Sequence, residues 1–403
     1  MVAETSALVQ YEDALRLVIE NAALVESEQV RLDDVAGRVL SSSVRTETDL
    51  PRFNNSAVDG FAIAEEDVEF VATNTFRLAG EIRAGGPPKL LRHGEVLRIF
   101  TGAMVPAGCA AIVMQEDAEV DGSLVQFRTH ATRGDHIRVA GSEARAGTEI
   151  VCDGPVSPAT IAALAASGVT RVEVRRRLRV GIVSTGDELV QTGGELAPGQ
   201  IYESNSTALR AAAEALGCEV RHVILVPDTR VKIENACRAV LGDCDLLLTS
   251  GGVSVGAHDL VRPALAASRV EEHFWGVAMK PGKPVAFGTC GGSSVFGLPG
   301  NPVSAMVCFS VLVRPHILAR TGCWQGFTEV SGRLLQSIKK KRGRVEFVPA
   351  HYRQGQIDPF VDRASYKSRL LAGANALAVV PSECSGANTG EEIQAILLQW
   401  GLS

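Results

Sequence analysis

Leu246-Leu247-Leu248-Thr249-Ser250-Gly251-Gly252-Val253-Ser254-Val255-Gly256 is an apolar run of strand length that passes straight into a loop of glycine and hydroxyl residues. Such a run reads as a buried strand, and in an α/β sheet ligands bind where strands end at the carboxyl edge. Glycines let backbone amides approach an anion, and Thr249, Ser250 and Ser254 add hydroxyl donors. Asp259 follows the loop. Further on come Lys280-Pro281-Gly282-Lys283-Pro284 and Leu298-Pro299-Gly300-Asn301-Pro302. Together these point to a seat for a phosphate-bearing or oxyanion ligand, with an acid at hand for a metal.

Working outward, strands are expected at Arg179 to Ser184, Val220 to Val226 and Asp245 to Thr249, with helices at Ser206 to Leu216 and Val231 to Leu241. This alternation is that of a doubly wound parallel sheet. A further helix, Val303 to Leu318, follows Pro302. Arg175-Arg176-Arg177 reads as a domain boundary. Before it, Val9 to Glu26 has helical spacing and Leu50 to Gln126 is β-like. Ser157 is placed to cap an Ala-rich helix with Pro158 at its first position. Beyond Arg320 the texture is β-rich again, as in a small barrel or sandwich.

The 403 residues exceed one ordinary core, so several domains are expected. Aromatic residues are only 5% against 46% hydrophobic, so the cores must be built from Val, Leu, Ile and Ala. A net charge of −6 argues against a general nucleic-acid binder. No continuous apolar run reaches the ~18 residues of a membrane span, and Met1-Val2-Ala3-Glu4-Thr5 lacks a signal-peptide layout. The nine cysteines form no Cys-x-x-Cys pair and are expected to be reduced, mostly buried thiols of a cytosolic protein. The eight histidines share no metal-ligand spacing.

Each candidate residue has a plainer reading beside the functional one. Asp187 and Glu188, in Ser184-Thr185-Gly186-Asp187-Glu188-Leu189, could hold a metal or cap a helix, and so could Asp228. With Asp259 they are acids at successive strand ends of one sheet, which favours a shared crevice. Lys280 and Lys283 flank a rigid Pro-Gly turn and suit an oxyanion, or are a solvated turn. Pro299-Gly300-Asn301-Pro302 opens a helix whose free amides offer an anion seat, or is simply a helix start. Asp59-Gly60 reads alone as a turn, and Thr101 as a loop residue. Lys339-Lys340-Lys341-Arg342-Gly343-Arg344 is a solvated loop or a source of charge for an anionic ligand.

With these segments in order along the chain, the sequence closely resembles the MoeA/gephyrin E-domain family of molybdopterin molybdenumtransferases. The matching motifs are Asn54-Asn55-Ser56-Ala57-Val58-Asp59-Gly60-Phe61-Ala62, Ile99-Phe100-Thr101-Gly102-Ala103, Ser184-Thr185-Gly186-Asp187-Glu188-Leu189, Thr249 to Gly256, Met279-Lys280-Pro281-Gly282-Lys283-Pro284 and Gly297-Leu298-Pro299-Gly300-Asn301-Pro302-Val303-Ser304. The resemblance implies an α/β multidomain fold. It divides as a linker domain over 1–45 and 144–177, a β-rich insertion over 46–143, a molybdopterin-binding α/β domain over 178–325 and a β-barrel over 326–403.

It implies hydrolysis of adenylylated molybdopterin and placement of molybdate on the dithiolene sulfurs, giving molybdenum cofactor and AMP with Mg²⁺. It implies a cytoplasmic homodimer whose sites are shared between subunits, with the upstream adenylyltransferase and molybdoenzyme chaperones as partners. Carried over to this chain, Asp59, Glu188, Asp228 and Asp259 are catalytic. Glu188, Asp228 and Asp259 hold the metal. Thr101, Ser184, Thr185, Gly186, Asp187, Ser250, Gly251, Gly252, Ser254, Pro299, Gly300 and Asn301 bind substrate. Lys280, Lys283, Pro284, Ser304 and Arg344 bind molybdate.

The chain departs from the family pattern at four places. Gly256-Ala257-His258-Asp259 replaces Gly-Asp-x-Asp, and Gly276-Val277-Ala278-Met279-Lys280 replaces Lys-Val-Ala-Met-Lys. Glu143 stands in for the acid after Arg-x-x-Gly, and Leu370 stands where the family has Ser, with Ser365 or Ser368 as alternatives. These losses keep two other readings open: a gephyrin-like scaffold with weak or no transferase activity, and a tungstate-specific paralogue.

Overall fold

The structure is a computed structural model and describes residues 8–150, 152–252, 260–360 and 364–401. Ser254, Ala257 and Asp259 lie outside the described residues, as does the side chain of Leu370.

The opening stretch forms the strand Leu246–Ser250, buried along its whole length. It lies inside a six-stranded sheet in the order Glu219–Val226, Arg179–Thr185, Leu246–Ser250, Ser293–Leu298, Ala286–Cys290, Glu271–Trp275. The first four run parallel, and the last two join antiparallel. Both faces are covered. Ile182, Leu246, Leu248 and Phe296 pack into one core. Their neighbours Val183, Leu247 and Val295 pack into another. This is why the strand reads as a continuous apolar run rather than an alternating one. Replacing Leu248, which is fully buried, by Ala would cost about 2–5 kcal/mol.

The helices Asn205–Ala215 and Arg230–Leu241 fall within a residue or so of the expected spans. The first helix is shorter than the spacing suggested, Tyr11–Glu20 rather than 9–26. The helix after Pro302 is one continuous rod to Thr321 with a π turn at Phe309–Val313. It is long and apolar enough to cross a membrane by composition, but 89% of its most apolar window is buried inside the protein. It is therefore a core helix. Ser157 does cap its helix, its hydroxyl accepting from the Thr160 N–H at 3.1 Å.

The carboxyl-terminal region closes into a barrel, settling the choice between barrel and sandwich. Its strands are Val345–Arg353, Gln356–Pro359, Glu329–Leu334, Glu392–Leu397 and Ala376–Val380, and the last pairs back with the first. Met279–Lys280, from the α/β region, adds a parallel rung to Val345–Glu346 of this barrel. The β-like segment of 50–126 forms a separate six-stranded sheet from Cys109–Met114 to Ala118–Asp121. Ser27–Arg31 with Arg171–Arg175 and Val44–Arg45 with Glu149–Ile150 form the ladders of the linker.

All nine cysteines are free thiols, but only Cys218, Cys237, Cys244 and Cys308 are buried, and the rest are half-buried. The arginine run at 175–177 ties the linker to the sheet. Arg176 grips the buried Asp245 through both guanidinium arms, at 2.6 and 2.8 Å.

Candidate functional site

Three strands of the central sheet end together at their carboxyl edge. Thr185, at the end of Arg179–Thr185, donates a short hydrogen bond to Asp228, just past Glu219–Val226. The Asp228 N–H in turn donates to Asp187 at 3.1 Å. Asp187, Glu188 and Asp228 are all exposed. The second carboxylate oxygens of Asp187 and Asp228 have no hydrogen bond among the described residues.

Beside them the glycine loop makes contacts that only glycine allows. Gly251 and Gly252 hold φ of +89° and +63°. A Cβ on Gly251 would lie 2.4 Å from the Thr185 carbonyl oxygen, and one on Gly252 would lie 2.5 Å from Val261. The loop therefore sits against the Thr185 strand with no room for a side chain.

Two polar residues brace this edge, and the sequence reading passed over both. Asn205 donates through Nδ2 to Ser250 Oγ at 2.8 Å and to the Gly300 carbonyl at 2.7 Å. It thereby pins the glycine loop to the Pro299-Gly300 turn. Glu203, 6% exposed, accepts from Ser184 Oγ at 3.1 Å and from the Ser206 N–H at 2.8 Å. Ser184 and Ser250 are thus buried supports, facing protein rather than the open edge. The helix start at Asn301 is also less open than expected, because the Val303 N–H donates to the Ser365 carbonyl at 3.0 Å. Tertiary contact has claimed that amide.

A second recess opens between the α/β region and the barrel, with a volume of about 260 Å³. Lys280, Lys283, Pro284, Ser304 and Arg344 all line it, although Arg344 comes from the barrel and Ser304 from the core helix. Ser365 lines it too, whereas Ser368 borders a neighbouring apolar groove. Of the two hydroxyls proposed to replace the one missing at Leu370, Ser365 is therefore the one in place. Lys339, Lys340 and Lys341 extend the recess outward beside Lys280 and Arg344. The recess thus gathers cations and hydroxyl donors from three parts of the chain, a composition suited to a small oxyanion.

Asp59 and Thr101 form a separate unit on the insertion. The Thr101 N–H and hydroxyl donate to one Asp59 oxygen at 2.8 and 2.7 Å. These bonds hold the Asp59 carboxyl below its usual range. Neither residue lines the recess within the same chain. The acids Glu188 and Asp228 offer oxygen-only donors, as Mg²⁺ prefers. They do not gather as a tight ligand trio among the described residues. The close trio of possible ligands that does occur there, His222, Asp243 and Cys244, lies at the opposite, amino end of the sheet. It is a spatial cluster, and the spacing of histidines along the sequence gave no sign of it.

Gly276 explains one departure. Its φ is +101°, and a Cβ there would lie 2.9 Å from Leu8. A lysine at this position would be strained by the backbone. Glu143 is exposed, and its N–H donates to the Leu50 carbonyl at 2.9 Å.

Comparison with known proteins agrees over nearly the whole chain. Residues 9–168 match the MoeA N-terminal region (domain I and II), residues 181–319 a probable molybdopterin binding domain, and residues 331–398 the MoeA C-terminal region (domain IV). The molybdopterin molybdenumtransferase of Haemophilus influenzae is 35% identical, covering 91% of this chain and 93% of that protein. Molybdopterin molybdenumtransferase 2 of Mycobacterium tuberculosis is 36% identical, covering 94% and 97%. Two solved structures of the molybdopterin biosynthesis MoeA protein from Pyrococcus horikoshii superpose with TM-scores of 0.86 and 0.83 at 28% identity, covering 98% and 97% of this chain and all of theirs. Sequence motifs, architecture and full-length relatives agree: the chain belongs to the molybdopterin molybdenumtransferase family.

Proposed function

We propose that this protein inserts molybdate into adenylylated molybdopterin and releases AMP, in molybdenum cofactor biosynthesis. The observation that carries the reading is the recess lined by Lys280, Lys283, Ser304 and Arg344. It is small enough to enclose a tetrahedral oxyanion, and it lies across the Asn301–Ser304 helix start from the glycine loop. The loop edge, with Thr185, Asp187, Asp228, Gly251 and Gly252, takes the phosphate-bearing substrate. The backbone amide at Gly252 suits a phosphate oxygen, whereas the Gly251 N–H donates to the Leu298 carbonyl and the Thr185 hydroxyl to Asp228.

Glu188 and Asp228, with Asp259, would hold Mg²⁺ through a few carboxylate oxygens, leaving its other positions to water and phosphate. The ion would supply neutralisation of charge on the cleaved phosphoanhydride. Lys280, Lys283 and Arg344 hold the oxyanion by charge, and Ser304 donates a hydroxyl to it.

The open Asp59–Thr101 unit fits a homodimer in which one subunit's insertion completes the other's site. A cytoplasmic location and contacts with the upstream adenylyltransferase and with molybdoenzyme chaperones belong to the same reading. No feature of the described residues favours a scaffold or a tungstate-specific protein. The test is AMP release from adenylylated molybdopterin with Mg²⁺, with molybdate and with tungstate. The expected result is molybdate-stimulated AMP release. Absence of turnover with intact binding of the pterin would overturn the enzymatic reading.

A further inference from the structure

The oxyanion recess contains an acid where an anion site should have none. Among the described residues lining it, Glu346 is the sole carboxylate. It is 2% exposed, and its Oε1 lies 3.0 Å from Lys280 Nζ. The pair is asymmetric, with side-chain exposures of 43% for the lysine and 3% for the acid. The acid is fixed in the barrel wall while the ammonium group faces the recess. Their backbones are register partners in the parallel rung that joins the α/β region to the barrel. The contact is therefore built into the junction between the two regions.

Burying a carboxylate is costly, and beside an anion site it also opposes the ligand. Two consequences offset this. A lysine has a long, freely rotating stem, and a fixed partner selects where its ammonium group sits. The recess and its outer rim also carry Lys283, Lys339, Lys340, Lys341 and Arg344. One fixed negative charge among so many cations limits how tightly a dianion is held. A site that must pass its oxyanion to an acceptor needs such a limit, since an ion held too firmly is not released.

We propose that Glu346 is a positioning residue of the oxyanion site. It places Lys280 and, by its charge, sets the affinity low enough for transfer. The proposal rests on the reading of the recess as the molybdate seat.

The test is calorimetric titration with sodium molybdate at fixed ionic strength, on full-length wild type, Glu346→Gln, Glu346→Leu, Lys280→Ala and both double variants. Gln keeps an oxygen for Lys280 and removes the charge. Even at the dielectric of water, removing a unit charge about 6 Å from a dianion is worth about tenfold in affinity. Glu346→Gln should therefore bind molybdate about tenfold more tightly and turn over more slowly, so that KM and kcat fall together. Glu346→Leu, which removes the acceptor as well, should gain less than Gln. That difference should vanish in the Lys280→Ala background. Affinity of the Gln variant within twofold of wild type, with both variants folded by thermal melting, would show the acid to be merely structural. Wild type that binds no molybdate would remove the seat itself, and the proposal with it. The two failures are told apart by the wild-type titration alone.

Discussion

The two ends of the central sheet carry similar residues and treat them in opposite ways. At the amino end, Asp245 is 6% exposed and fully engaged. Arg176 holds both its oxygens, Arg179 adds side-chain bonds at 3.1 and 3.2 Å, and the Arg179 N–H donates at 2.8 Å. Burial alone would raise this carboxyl, but the bonds from Arg176 and Arg179 outweigh it and hold the group well below the usual carboxylate range. Nearby, Arg320 donates to the Asp245 and Ala23 carbonyls, and His316 bridges Val18 and Ser294. At the carboxyl end, Asp187, Glu188 and Asp228 stand exposed. The contrast separates charge used to fasten the fold from charge left open to solvent.

The sharpest way to break the contrast is Asp245→Ala. It strands two arginines at a buried junction, and removing one partner of such a network costs about 3–5 kcal/mol. Urea unfolding should show this loss. Asp228→Ala, at the open end, should leave the midpoint nearly unchanged and abolish AMP release. Equal loss of stability from both would erase the distinction.

The next largest effect is a pH dependence at the closed end. His316 is fully buried, and burial, assisted by the charge of Arg320, lowers its pKa to about 4 from 6.5. The Val18 carbonyl can only accept, so Nδ1 carries the proton and Nε2 accepts from Ser294. Above pH 6.5 the ring is neutral in folded and unfolded chains alike, and stability is unaffected. As pH falls from 6.5 toward 4, the unfolded chain takes up a proton that the folded chain refuses, so stability drops. The full loss is about 3 kcal/mol. Urea midpoints across this window should slope for wild type and lose that part of the slope in His316→Gln. A flat wild-type profile would show the histidine to be relaxed or hydrated.

At the ligand end, replacing Lys280 and Lys283 by Ala should weaken molybdate binding, with each charge-assisted contact worth about 1.5–3 kcal/mol. Nucleotide binding should be spared, since among the described residues the recess lined by the two lysines does not include Gly251 or Gly252. Parallel loss of both ligands would merge the recess and the loop into one site.

The local shape of the carboxyl end was more legible in the sequence than that of the amino end, for a physical reason. Glycine loops and Pro-Gly turns are local, and residues such as Gly251, Gly252 and Pro281 are chosen by the backbone where they stand. The alternation of strands and helices from Arg179 to Leu248 was likewise local, and it fixed the α/β class. What escaped depends on distant partners. Glu346 meets Lys280 only because a strand rung joins the α/β region to the barrel. Asn205 matters because Ser250 and Gly300 converge on it. The helix-start amide at Val303 was spent on Ser365. The loss of lysine at Gly276 looked like missing chemistry, whereas the left-handed φ there makes glycine the conformational choice.

The smallest expected effect tests burial itself, using two aspartates at the same end of the sheet. Asp243 stands two residues before Asp245, and it too pairs with an arginine, Arg221 Nη1 at 2.6 Å, and with His222 at 3.1 Å. His222 first, then Arg221, hold its carboxyl below the usual range. Yet its side chain is 44% exposed where that of Asp245 is 8% exposed. Water solvates an exposed carboxylate nearly as well as its partners do, and salt screens what remains. Asp243→Asn should therefore leave the thermal midpoint of wild type almost unmoved, at low salt and at high. The comparison with Asp245→Asn is direct, because the chemical change is the same and only the surroundings differ. A substantial, salt-sensitive loss for Asp243→Asn would mean that the paired geometry, rather than burial, makes the amino end rigid.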